Sequence, residues 1–374
     1  MYDHLQRGAK LAGRLLRANA TSLPYPVKLN LAVTYWCQYK CKTCNIWQRR
    51  PTDELTTAEI LTFVRENPAP SWLDVTGGEI FLREDVTEIF DAIVESWRDL
   101  FILHFPTNGF LTNQIVALAE RLTKSRVPHV IVTVSIDGDE ALNDEVRGIK
   151  GGFRRQVDTY NALRRIDGVR AVVGMTLSRF NVGHVERTFD AIRAACPGLE
   201  MSDFHLNFAQ VSDHYYANAE DAVVAPRDAA IRDLRWYRAQ RKSGRTPADW
   251  VEGRFLGELE SYLQTGRTPM PCHSLRSSCF IDPWGTVFPC ISYSRPLGRL
   301  RDTGMRLTPI WNGDLTRATQ REIWQGDCPQ CWTACEAYHT ILGNLARPFA
   351  GPAAPRLAPD SSDARRLPVT RIGD

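Results

Sequence analysis

Three thiols stand at Cys37, Cys41 and Cys44, spaced C-x3-C-x2-C, directly after the apolar run Leu29 to Val33. A strand that runs out into a loop carrying three convergent thiolates is a cradle for a metal or an iron–sulfur cluster. Four-iron clusters usually take four cysteine thiolates, so a compact set of three leaves one iron open to another ligand. The alternative is a zinc site finished by a distant Cys or His, because C-x2-C is also a zinc half-site. A second group lies far down the chain. Cys272 and Cys290 bracket a strand-turn-strand pattern with Pro283-Trp284-Gly285 at its turn, and Cys328, Cys331 and Cys335 follow at C-x2-C-x3-C. In a reducing compartment such clustering favours metal binding over disulfides, whereas Cys196, alone before Pro197, reads as buried and inert.

Gly77-Gly78-Glu79 follows the apolar segment Trp72 to Val75. Two glycines let a backbone and a ligand approach closely, and the carboxylate offers an ammonium a partner. With both cysteine groups, this motif resembles the radical S-adenosylmethionine (SAM) superfamily. The stretch from about Pro271 to Ala337 resembles its auxiliary-cluster extension, called SPASM, or the shorter relative called twitch. The resemblance implies a [4Fe–4S] cluster on Cys37, Cys41 and Cys44 whose open iron chelates SAM, with Gly77, Gly78 and Glu79 receiving the amino group. Thr107-Asn108-Gly109 and Ser135-Ile136-Asp137-Gly138 resemble segments that contact the ribose and methionine ends of SAM, which brings in Asn108, Ser135 and Asp137. Asn and Asp before Gly are equally ordinary turn residues. Arg147-Gly148 is similar to a family feature, although a surface arginine is the reading adopted. At Thr43 the chain departs from the pattern, since an aromatic residue beside the adenine is common there; Ile46 or Trp47 are the candidates to replace it.

Six cysteines are too few for two fully cysteine-ligated auxiliary clusters, which need about eight. One auxiliary [4Fe–4S] cluster is therefore expected. The twitch pattern implies Cys272, Cys290, Cys328 and Cys331 as its ligands, with Cys335 competing for the last place. Cys279 reads as a ligand, a buried residue or a thiol facing substrate. A zinc ribbon is the alternative for this group.

The elements that must position these residues alternate. Apolar runs at Leu29–Val33, Trp72–Val75, Phe101–Phe105, Val130–Ile136, Ala171–Leu177 and Phe204–Phe208 are separated by amphipathic stretches, the first opened by a capping box at Thr56 and Glu59. The pattern implies an α/β fold of parallel strands with right-handed crossovers. The resemblance makes it a partial (β/α)6 TIM-like barrel with a small C-terminal cysteine-rich α+β module. Expected boundaries are a helix and lead-in over 1–27, the barrel over 28–227, a helical bridge over 228–270, the module over 271–346 and a disordered Pro-rich tail over 347–374. In parallel barrels the strand C-termini gather the site. There, His205, Asn207 and the loop residue Tyr215 are candidate substrate contacts, as is Cys279.

With 374 residues and a net charge of +3, bulk electrostatics give no argument for nucleic acid. No apolar run approaches the roughly 20 residues that span a bilayer, so a cytoplasmic protein is expected. The basic amphipathic stretch Met1 to Ala20 suits peripheral contact with an anionic membrane, but packing on its own domain is favoured for so short a helix. The expected activity is reductive cleavage of SAM to a 5′-deoxyadenosyl radical that abstracts hydrogen from an unactivated carbon. An electron donor such as flavodoxin or ferredoxin is implied. Because only a short helix precedes Lys28, a small-molecule, sugar- or lipid-linked substrate is expected first and a ribosomally made peptide second. A noncatalytic iron–sulfur or zinc scaffold is the reading from another class.

Overall fold

The computed structural model describes residues 2–241, 244 and 246–346; the tail expected over 347–374 lies outside the described residues. Six parallel strands run β1 (Lys28–Thr34), β2 (Trp72–Gly77), β3 (Ile102–Thr107), β4 (His129–Ser135), β5 (Val169–Leu177) and β6 (Phe204–Phe208), in spatial order of sequence. Helical crossovers join them, as parallel pairing requires. The first crossover helix, Thr57–Glu66, begins as its sequence dictates: Thr56 Oγ1 accepts from the Glu59 amide, and the Glu59 carboxylate accepts from the Thr56 amide.

Strand alternation then divides each strand into two faces. Leu73, Val75, Leu103, Phe105, Val132 and Val134 join one large core beneath the helices. Asp74, Thr76, His104, Thr133 and Ser135 alternate with them and lie on the opposite, inner face.

The sheet does not close. Strand β7 (Ser278–Ile281) adds in parallel to the free edge of β1, pairing Leu29 with Cys279 and Leu31 with Ile281. Strands β8 (Thr286–Phe288) and β9 (Gly298–Arg299) continue from it in antiparallel fashion. The cysteine-rich segment is thus an extension of the barrel sheet and shares its core: Leu275, Val287, Leu300, Leu307 and Trp311 pack with Leu29, Leu55 and Phe63. An edge strand left bare would expose a row of unpaired amides, and β7 covers it.

Three helices matter to the site. The helix Glu140–Arg147 follows β4, the helix Pro247–Thr265 flanks β6, and the helix Ala334–Gly343 carries the last cysteine. The N-terminal helix Tyr2–Arg17 packs on the barrel: Leu11 and Leu15 are buried, and Arg7 donates to the carbonyls of Leu100 and Arg126. The membrane-surface reading of this helix has no free apolar face to rest on, although Leu5 and Leu16 stay exposed.

Candidate active site

The cysteine loop leaves the end of β1 and is seated on the end of β2. The Gly78 amide donates to Thr34 O and the Glu79 amide to Trp36 O, each at 2.8 Å. A Cβ on Gly77 would fall 2.0 Å from Thr34 O, and one on Gly78 would fall 2.2 Å from Trp36 O. What approaches these glycines closely is therefore the chain that carries the thiols, a structural demand that the sequence argument assigned to a ligand.

From the other side, the helix Glu140–Arg147 clamps the same loop. Lys42 N donates to Val146 O, and Gly148, with φ of 63°, lies so near the Lys40 carbonyl that a Cβ would come within 2.3 Å. Arg147 is consequently 9% exposed. Its guanidinium donates to Asp137 Oδ2 at 2.6 Å and lies 5.5 Å from the Tyr39 ring centroid. The surface-arginine reading fails because Gly148 turns the chain at the helix end and leaves Arg147 pointing under the loop.

One cleft gathers most of the sequence candidates. Its walls are formed by Cys37, Cys41 and Cys44, by Gly77, Gly78 and Asn108, and by Ser135 and Asp137. Asn108 Nδ2 stands 4.0 Å from Cys37 Sγ and 3.1 Å from Gln38 Oε1. Asp137 is fully engaged: Oδ1 accepts from the Thr176 amide while Oδ2 holds Arg147. Burial pushes the Cys37 and Cys44 thiols up to about 12 and raises Cys41 as well. Such thiols stay protonated until a metal replaces the proton, and three of them on one loop fit the open-iron cluster.

Glu79 stands behind this wall. It is fully buried and accepts from Asn108 N at 2.7 Å and from Thr107 Oγ1 at 3.0 Å. Burial raises its carboxyl to about 7 against the pull of those donors. Here it ties β2 to β3 instead of presenting a carboxylate to the cleft.

The remaining candidates divide by strand geometry. Tyr215 and Tyr216 line the cleft, Tyr215 sharing a 2.7 Å hydrogen bond with Thr76 Oγ1. Their loop is clipped to the cysteine loop: Asn45 N donates to Tyr216 O, and Asn218 Nδ2 to Thr43 O. His205 and Asn207 share a face of β6. His205 Nδ1 lies 3.3 Å from Glu252 Oε1, whose other oxygen is bonded by Tyr338; Asn207 Oδ1 is buried with no partner among the described residues. Cys279 is fully buried in the core beneath the helices, because β7 turns Phe280 inward and Cys279 outward. It does not face the cleft, so the substrate-facing reading of this thiol is corrected.

In the second cysteine group, Cys272 and Cys331 each lie within electrostatic reach of the other and of Cys290 and Cys328, and burial raises all four thiols. That set suits a four-cysteine cluster. Cys335 is set apart: burial raises it also, but the charges acting on it are led by Lys28 and Asp74 where those on Cys272, Cys290 and Cys331 are led by Glu336, and it packs against the same apolar cluster as Cys44, Tyr215 and Tyr216. The helix Ala334–Gly343 turns it toward the barrel, so the competing place for Cys335 among the auxiliary ligands is not supported by its position. Several polar residues here escaped sequence reasoning. Lys28 and Asp74 form a buried pair at 2.8 Å, and His104 bridges Asp74 and Thr133 at 3.1 and 2.9 Å. The signal was present, since each is a polar residue at an alternate position of an apolar strand.

An unclosed parallel barrel with a three-thiol loop at its mouth defines the radical SAM class. The Radical SAM superfamily model matches residues 31–192, and the SPASM iron–sulfur cluster-binding domain model matches residues 272–346. The chain belongs to the radical SAM superfamily and carries a SPASM domain. It is similar to the Bacillus subtilis antilisterial bacteriocin subtilosin biosynthesis protein AlbA, at 22% identity over 85% of this chain and 66% of that protein. It is also similar to the B. subtilis sporulation killing factor maturation protein SkfB, at 26% identity over 43% of this chain and 38% of that one. It thus spans just under two thirds of the first relative and much less of the second. Among solved structures, Streptococcus suis SuiB bound to S-adenosylmethionine shares the fold, with TM-score 0.57 and 17% identity over 85% of this chain and 73% of that one. The form of SuiB bound to its precursor peptide SuiA gives 0.56. Among the described residues, no helix is long and apolar enough to cross a membrane.

Proposed function

We propose that this protein is a radical SAM enzyme that modifies a ribosomally made peptide. The observation that carries the enzymatic reading is the single cleft shared by Cys37, Cys41, Cys44, Gly77, Gly78 and Asp137. A [4Fe–4S] cluster with SAM bound there supplies reductive cleavage of the sulfonium C–S bond and a 5′-deoxyadenosyl radical for hydrogen abstraction. The chain's own part is placement. Cys37, Cys41 and Cys44 hold the cluster, and Asn108 offers an N–H to the Cys37 sulfur. Arg147 and Asp137, already paired, hold the floor of the cleft in place. Cys272, Cys290, Cys328 and Cys331 would hold one auxiliary cluster, leaving Cys335 on the barrel side.

The peptide substrate is favoured over the small-molecule, sugar- or lipid-linked one expected from the sequence. Its support is what the similar proteins do by name, bacteriocin biosynthesis and killing-factor maturation, and the peptide seated in SuiB. The absence of a large domain before Lys28, which tilted the sequence reading, concerns only this stretch of chain.

Anaerobically reconstituted protein, given dithionite and SAM, is expected to form 5′-deoxyadenosine; no product with SAM bound and the cluster intact overturns the enzyme reading in favour of a scaffold. Deuterated extract of the source organism, split by size, separates the substrate classes. Deuterium should enter 5′-deoxyadenosine from the peptide fraction. Transfer from the small-molecule fraction alone would reject the peptide.

A further inference from the structure

The interior of a parallel barrel is ordinarily packed with bulky branched side chains. Here the layer one step below the cleft is polar. Asp74, His104, Thr133 and His205 stand on the inner faces of β2, β3, β4 and β6, and Gly174, the register partner of His205 on β5, adds no side chain between them. Most of this layer is satisfied from within. Lys28 and Asp74 hold each other, and both ring nitrogens of His104 are taken, one by Asp74 and one by Thr133.

His205 differs. Its Nδ1 lies 3.3 Å from Glu252 Oε1 and 3.5 Å from Tyr338 Oη, while its Nε2 has no hydrogen-bond partner among the described residues. The His205 side chain is 33% exposed against 5% for Glu252, so the carboxylate holds the buried edge of the ring and leaves the other edge on the open side. A carboxylate against Nδ1 fixes the tautomer: Nδ1 keeps its proton, and Nε2 offers the lone pair of a base. Against the effect of burial, His205 and Tyr338 hold the Glu252 carboxyl below its ordinary value, so it remains an acceptor.

The position is also apt. Asn207, two residues on and on the same strand face, pairs in register with Thr176, which lines the cleft. Glu252 comes from the bridging helix Pro247–Thr265, and Tyr338 from the helix Ala334–Gly343 that follows the auxiliary cysteines. The ring thus stands between the two cysteine groups. Asn207 Oδ1 is a second acceptor, buried without a partner. Two acceptors on one face fit a substrate group with a proton to give, such as a peptide thiol, hydroxyl or amide.

We propose that His205, held by Glu252 and Tyr338, is the general base of this enzyme and that the reaction is a two-electron oxidation of the peptide. The 5′-deoxyadenosyl radical removes a hydrogen atom from carbon, His205 Nε2 takes the proton of a thiol, hydroxyl or amide on the same peptide, and one electron passes to the auxiliary cluster. One C–H and one S–H, O–H or N–H bond break, and a bond from that carbon to the heteroatom forms or becomes double. The proposal rests on the peptide reading above and adds to it the base and the reaction class.

Two measurements test it on the cluster-loaded protein. Diethyl pyrocarbonate, mapped by mass spectrometry, should label His205, whose ring has a free nitrogen, ahead of His104, whose ring has none; the reverse order overturns the assignment. With dithionite, SAM and the deuterated peptide fraction, wild type should give deuterated 5′-deoxyadenosine and a peptide that has lost one deuterium and one exchangeable proton. His205→Phe should lower the ratio of oxidised peptide to 5′-deoxyadenosine at least about a hundredfold, the low end for a general base. Glu252→Gln should lower the same ratio at least about tenfold, since an amide favours the wrong tautomer, and Glu252→Asp should recover part of it. If His205→Phe loads less iron than wild type, His205→Gln takes its place. An undiminished ratio in the iron-replete variant, or a wild-type peptide modified with no such loss of mass, overturns the proposal. Failure of wild type to take deuterium from the peptide fraction would instead remove the peptide reading on which it stands.

Discussion

Replacing Gly78 by alanine tests whether the glycine pair seats the cysteine loop. An added Cβ would lie 2.2 Å from Trp36 O and 2.7 Å from Trp36 C, both backbone atoms that have no rotamer in which to move aside. Against the 3.4 Å of an ordinary contact, the chain must retreat by 3.4 minus 2.2, or 1.2 Å. That retreat breaks or stretches the 2.8 Å bonds from Gly78 N to Thr34 O and from Glu79 N to Trp36 O. Two hydrogen bonds at about 0.5–1.5 kcal/mol each and overpacking at about 1–3 kcal/mol give a destabilisation of roughly 2–6 kcal/mol. Because Cys37 follows Trp36 directly, the same shift displaces a cluster ligand, and cluster sites tolerate only small errors. Denaturant unfolding of the metal-free protein measures the first effect, and iron and sulfide per chain after anaerobic reconstitution measures the second. Gly253→Ala, in an exposed helix interior where a Cβ meets nothing within 4 Å, is the control and should stabilise by about 0.5–1 kcal/mol. If Gly78→Ala unfolds at the wild-type midpoint and loads the wild-type amount of iron, the glycines do not act as the loop's seat.

Arg147→Met leaves the 97%-buried Asp137 carboxylate without its cation and should cost about 3–5 kcal/mol in denaturant unfolding, where Asp137→Asn combined with it should recover part of the loss. On the Cys37/Cys41/Cys44 triple alanine background, Cys335→Ser should keep about four irons per chain and Cys331→Ser should lose them; the reverse order would move Cys335 into the auxiliary ligand set, and zinc in their place would mean a ribbon. Arg301 donates to both Glu59 oxygens and holds that carboxyl near 2. A carboxyl lowered in the fold contributes stability that is present above its unfolded value and lost as pH falls toward 2; carboxyl NMR should show Glu59 titrating there and returning to the ordinary range in Arg301→Ala. Asp282 behaves oppositely: burial raises it to about 6 despite the Trp284 and Thr286 amides. Its ionisation opposes folding, so Asp282→Asn should flatten the decline in stability between about pH 4 and 6, and an unchanged slope would contradict the burial argument.

The local instructions were legible in the chain. Cys37, Cys41 and Cys44 declare their chemistry by spacing, the six apolar runs declare a parallel α/β sheet by alternation, and Thr56 with Glu59 declares a helix start. Each of these depends on residues close in sequence. What the tertiary structure decided lies between residues far apart. Arg147 is a cleft residue because Gly148 fits under the Lys40 carbonyl, a contact across more than a hundred residues; the Arg147-Gly148 resemblance pointed there, but local sequence alone favoured the surface. Glu79 turns to Thr107 and Asn108 because the ends of β2 and β3 lie side by side. Cys279 faces the helical core because β7 joins β1 in one register, and a shift of one residue would exchange every face of that strand, while Cys335 is turned to the barrel by the helix Ala334–Gly343. Sequence spacing thus determined which side chains can bind metal, and long-range strand pairing determined which way they face.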